Sequence, residues 1–118
     1  MSLRTPESQA IYKKHIQDGG LKNGCPLCAH EPRTLFRFWK IMPNKFPYDK
    51  IAEKHDMLVP LRHVTESEFT SEEIKELKEI KDDYLNTNYE YIIEAAHKNK
   101  TIPAHFHLHL LTVKAEHK

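Results

Sequence analysis

The sequence predicts an α+β domain on a mainly antiparallel sheet with two main helices. Three observations predict it. Strand-like segments fall at 34–41 and 89–94, rich in aromatic and β-branched residues, at 54–60 around Met57-Leu58-Val59, and at 105–113, where apolar and polar residues alternate over 105–110. Helical periodicity is confined to two stretches, one near the N-terminus and one behind Thr70. The two kinds of segment do not alternate as regular βαβ units. With 118 residues and no repeat, linker or low-complexity stretch, residues 1–118 read as one domain.

Thr5-Pro6-Glu7 starts the first helix: a Thr cap, Pro at the first helical position and an acid in the first turn. Ile11, Tyr12, His15 and Ile16 share a face, and Gly19-Gly20 ends the segment, so the N-terminal helix lies within 1–20. Residues 21–32 form a loop carrying Cys25 and Cys28. A strand over 34–41 is broken by Pro43-Asn44 and Phe46-Pro47, and a second over 54–60 is closed by Pro60. Thr70 and Glu73 form a capping box. Behind it Ile74, Leu77, Ile80, Tyr84 and Leu85 recur at helical spacing, and Asn86-Thr87-Asn88 is the stop. Residues 89–94 read as a short strand, with a helical continuation as the alternative, and a loop over 95–104 leads to the strand 105–113.

Charge excludes some functions. Lys plus Arg number 18 and Asp plus Glu 17, a formal charge of +1. So even a balance makes no case for nucleic acid or an acidic membrane as the main partner. No apolar run approaches the roughly 20 residues of a membrane span, and the N-terminus lacks a signal-type stretch. The expectation is a soluble, cytoplasmic protein.

Cys25 and Cys28 are spaced Cys-x-x-Cys. Two thiols make no disulfide framework for a domain of this size, so the pair reads as half a zinc site, a redox pair or two ordinary thiols. The strand and helix that flank a thioredoxin-like redox pair are missing here, which favours zinc. Of the nine histidines, His105, His107 and His109 alternate in the last strand. In a strand they point to one face, roughly 6.6 Å apart, while Phe106, Leu108 and Leu110 point to the other. Such a row offers donors, acceptors and a nucleophile at neutral pH.

His105-Phe106-His107-Leu108-His109-Leu110-Leu111 resembles the histidine triad of the HIT superfamily. His55-Asp56-Met57-Leu58-Val59-Pro60-Leu61-Arg62-His63 resembles that superfamily's upstream His-x-Leu-Val-x-Pro-x-x-His segment, and the Cys-x-x-Cys loop resembles its zinc-binding branch. The resemblance runs from about Cys25 to Val113. It implies an antiparallel sheet of about five strands with packed helices, usually a homodimer. It also implies nucleotidyl transfer at the α-phosphate of a nucleotide, through a nucleotidyl-histidine intermediate.

Carried onto these residues, the resemblance makes His107 the nucleophile, His109 a contact to phosphate or bridging oxygen, and His55 an orienting histidine from the neighbouring strand. A structural zinc would take Cys25, Cys28, His63 and His105, with His30 a competitor by proximity. Asn44, Ile41 and Phe46 would line the nucleoside pocket. The usual Gly-rich stretch before the triad is replaced by 98–104, where Thr101, Asn99 or Lys100 would reach the leaving group. His109 in the third position, in place of Gln, favours the hydrolase branch. The expected substrate is a nucleoside phosphoramidate or dinucleoside polyphosphate. The alternatives are a nucleotide-binding or regulatory protein of the same fold with little turnover, and a small zinc protein whose histidines serve only the metal.

Overall fold

Residues 34–43 do not run as one strand. In the computed structural model, which describes residues 2–20, 24–100 and 102–117, they form a tight hairpin. Strand β1 (Thr34–Leu35) turns at 36–38 into β2 (Trp39–Pro43), pairing Thr34 with Ile41 and Leu35 with Lys40. A bond from Phe36 N–H to the Trp39 carbonyl, 2.8 Å, closes the turn. Alternation alone could not reveal this, because both arms are apolar enough to read as one run.

Long strand β3 (Ala52–Pro60) pairs with β2 on one side and with β5 (Leu108–Val113) on the other; β4 (Tyr91–Ile93) flanks β5. Among the described residues the five strands form one antiparallel sheet, the architecture expected, and their order is β1-β2-β3-β5-β4. The last strand starts later than expected, at Leu108. The Phe106 N–H is taken by the Val64 carbonyl, 2.8 Å, and the His105 ring donates to the Pro60 carbonyl, 3.0 Å. Those bonds pull 105–107 off the β3 ladder.

Two helices dominate. Helix α1 (Pro6–Gln17) is capped by the Thr5 hydroxyl, which accepts from Ser8 N–H at 3.3 Å. Its start is fastened by Asp49, whose carboxylate accepts from the Thr5 N–H at 2.9 Å and from the Ser8 hydroxyl. Gly19, at φ 84°, takes the left-handed conformation that ends it. A one-turn helix, α2 (Pro26–Ala29), lies inside the cysteine segment expected to be loop throughout.

Helix α3 (Ser71–Ile80) opens on the expected capping box of Thr70 and Glu73. It runs on through a π-helical turn (Lys81–Leu85) into α4 (Asn86–Asn88). The expected stop at 86–88 therefore comes one turn late. The three side chains bond back four residues: Asn86 to the Asp82 carbonyl at 3.2 Å, Thr87 to Asp83 at 2.9 Å and Asn88 to Tyr84 at 2.9 Å. They satisfy the final carbonyls while the helix is still turning.

The sheet divides the interior. On one face Trp39, Ile41, Leu58, Phe106, Leu108 and Leu110 pack with Ile80 and Leu85 of the α3 layer. Ile74 points outward and Glu73 inward, because Glu73 is held by Arg62. On the other face Met42, Met57 and Val59 pack with Leu27, and α1 stands over the same side. Among the described residues no helix is long and apolar enough to cross a membrane.

Candidate functional site

Register decides which side chains share the second face. His109 pairs with Met57 and Leu111 with His55, so His55, Met57, His109 and Leu111 project together. His107 precedes the ladder and follows the same parity.

At one end of this face, Cys25, Cys28, His63 and His105 each bring one ligand atom to within 4.8 Å of the others. His105 Nδ1 lies 3.4 Å from both sulfurs, and His63 Nδ1 lies 3.3 Å from Cys28 Sγ. The His105 Nε2–H is donated to the Pro60 carbonyl, which turns the Nδ1 lone pair toward the thiols. An outer hydrogen bond of this kind is what orients a metal-ligating histidine. Lys40 is buried and donates to the carbonyls of His30, 3.0 Å, and Cys28, 3.4 Å, fastening α2 beside the thiols. The four residues could hold a metal ion. His30 stands outside the group, with Nδ1 on the Glu31 carbonyl at 3.0 Å.

Next to this cluster lies a cavity of about 410 Å³, with His107 and His109 in its wall. His107 Nδ1–H donates to the main-chain carbonyl of His105 at 2.9 Å. Burial holds the His107 imidazole below the usual histidine range, only partly offset by that bond. It is therefore neutral at pH 7, with the lone pair on Nε2.

His55 and His109 form a second pair, His55 Nε2 to His109 Nδ1 at 2.8 Å. Burial pushes His55 down to about 4 and His109 to about 3, and Arg4 adds repulsion to both. The Tyr48 phenol stands 3.3 Å from His109 Nε2.

Of the expected pocket residues, Asn44, Phe46 and Asn99 line the cavity, as does Lys100. Asn44 Oδ1 accepts from the Phe46 N–H at 2.8 Å, which shapes the turn beneath the cavity. Ile41 does not line it. It is fully buried in the core on the opposite face, and its neighbour Met42 takes the cavity position, a shift of one residue in a strand of period two. Thr101 lies outside the described residues.

The sequence reading missed the wall contributed by α1. Tyr12 and His15 stack against Phe46, with centroids at 4.9 and 4.6 Å, and Arg4 lies 4.2 Å over Tyr12 and 5.0 Å over Tyr48. Arg4 Nε donates to the Phe46 carbonyl at 2.8 Å. Tyr12 and His15 carried a signal, a shared helix face, but nothing local said what that face would meet. Arg4, Lys45 and Lys100 give the cavity cationic groups, and none of its described lining residues is Asp or Glu.

Comparison with protein-family models, with curated proteins and with solved structures found no match to this chain.

Proposed function

We propose that the chain is a nucleotidyl hydrolase or transferase of histidine-triad type, acting on a nucleoside phosphoramidate or dinucleoside polyphosphate. One observation carries the reading. The His107 ring is locked by the His105 carbonyl at 2.9 Å in the tautomer that keeps Nε2 unprotonated, and the residue lines a cavity rich in cationic and apolar groups. A neutral Nε2 is a competent nucleophile toward phosphorus. In the first step it forms an N–P bond as the bond to the leaving group breaks, and the leaving group departs with the electron pair. Water then attacks phosphorus, the N–P bond breaks, and the pair returns to Nε2 as the water gives up its proton. In this reading His109, in the cavity wall beside His107, borders the phosphoryl oxygens.

Two thiols and two imidazoles are the donor set of a tetrahedral structural zinc, and we assign that metal to Cys25, Cys28, His63 and His105. With four protein ligands it leaves no position for a reacting water; bound, it would cross-link α2 to the start of the triad segment. Thiol ligands suit a reducing compartment such as the cytoplasm. A homodimer is also part of this reading, supported by the exposed Tyr91 and Ile92 on edge strand β4.

The test is His107→Ala. Turnover of a labelled adenylate substrate falls by orders of magnitude while mononucleotide binding survives, and acid-labile label is trapped on the wild-type protein alone. Undiminished turnover in the variant would exclude His107 as nucleophile.

A further inference from the structure

Three hydrogen bonds around Tyr48 fix the proton positions in the second histidine pair. The Tyr48 backbone N–H donates to His55 Nδ1 at 2.9 Å. A neutral His55 that accepts at Nδ1 carries its proton on Nε2, so the Asn44 Nδ2, 3.2 Å from that nitrogen, makes a contact there and no hydrogen bond. That proton is donated to His109 Nδ1 at 2.8 Å, so His109 in turn is protonated at Nε2. The Nε2–H of His109 faces the Tyr48 phenol oxygen at 3.3 Å. The circuit begins on the Tyr48 main chain and ends on its side chain. The phenol oxygen is an acceptor there, and its own O–H is left to donate. Tyr48 lines the cavity together with His107 and His109.

From this circuit we infer that Tyr48 is an anion-binding residue of the cavity, its O–H donating to an oxygen of the phosphoryl group that His107 addresses. The inference rests on the proposed nucleotide reading and adds a donor that the triad does not contain. Burial raises the phenol above its ordinary range, so the O–H is retained at neutral pH. The Arg4 guanidinium, 5.0 Å from the ring centroid, draws on the ring electrons and strengthens the O–H as a donor. The ring is held in place by His55 and His109, with centroids at 4.5 and 4.9 Å.

The substitution that tests this is Tyr48→Phe. The tautomers of His55 and His109 are set by the backbone N–H of residue 48, so the variant removes the hydroxyl and leaves the histidine protons where they are. Affinities for adenosine and for AMP are measured by calorimetry on the metal-loaded protein, wild type and variant. Histidine ¹⁵N shifts report the tautomers. The expected result is a roughly ten- to hundredfold loss of AMP affinity, the range for a hydrogen bond to a charged group. Adenosine affinity stays within about twofold, and His109 keeps its proton on Nε2. Equal losses for adenosine and AMP, or no loss for AMP, overturn the role of Tyr48 while leaving the nucleotide reading standing if wild type binds AMP and needs His107 for turnover. Wild-type protein that binds neither ligand overturns both.

Discussion

The main-chain carbonyl of His105 accepts from His107 at 2.9 Å, while the His105 ring faces Cys25 and Cys28 at 3.4 Å. One residue therefore belongs to both halves of the site. Its side chain completes the Cys/His cluster that could hold a metal ion, and its backbone sets the tautomer of the candidate nucleophile.

That coupling makes metal removal a test of architecture. Purified protein should carry about one zinc per chain. Chelation should lower the thermal midpoint by several degrees, since a ligand bound only to the native state stabilises it. Cys25→Ser should do the same without chelator. Elemental analysis and thermal scans check both; metal-free protein with an unchanged midpoint on adding zinc would contradict the assignment.

The His55–His109 pair predicts a pH dependence. Both rings are held below the histidine value of 6.5 in the fold, at about 4 and about 3. Between those values and 6.5 the unfolded chain binds more protons than the native one. Stability is then complete above pH 6.5 and falls as pH drops toward 4. One pKa unit corresponds to about 1.4 kcal/mol, so the pair accounts for a loss of a few kcal/mol, the exposed fraction reducing it. Urea midpoints at pH 7.5, 6 and 5 should show this slope, shallower in His109→Gln. Acid loss of metal affects both proteins alike, so equal slopes would place the effect elsewhere.

Arg62 grips Glu73 through two bonds, Nε to Oε2 at 3.1 Å and Nη2 to Oε1 at 2.7 Å. The same carboxylate accepts from the Thr70 N–H at 2.8 Å. The Arg62 bonds hold the Glu73 carboxyl below its usual range against the opposing effect of burial. Glu73→Ala removes the carboxylate half of the capping box and the link to the segment carrying His63. Chemical denaturation should show a loss of about 2 kcal/mol, most of it from the capping box and the buried acceptor, because Arg62 is half exposed. A change below about 0.5 kcal/mol would show the link to be ornamental.

Gly20 sits against the His15 ring so closely that an added Cβ would meet ring atoms at 2.1 to 2.5 Å. Gly20→Ala must therefore displace His15 from Phe46 and reshape the α1 wall of the cavity. Since a side chain and not backbone gives way, the thermal midpoint should move only a few degrees. The ring contact between His15 and Phe46 should disappear from NOE spectra. A retained contact would mean that the 19–20 turn moves instead.

The sequence by itself determined the α+β class, the Thr5 and Thr70 caps, the cysteine spacing and the row of histidines, because each is written in residues close along the chain. Caps and strand parity need only local geometry, and they held for α1, α3 and β5. Boundaries failed where long-range bonds intervened: Val64 and Pro60 delay β5, and back-bonded side chains carry the helix past Asn86. The tertiary structure alone decided that Met42 and not Ile41 faces the cavity, that α1 forms its wall, and that His55 reaches His109. Those outcomes depend on the register between strands distant in sequence, and a period of two fixes which residues share a face without saying what that face will meet.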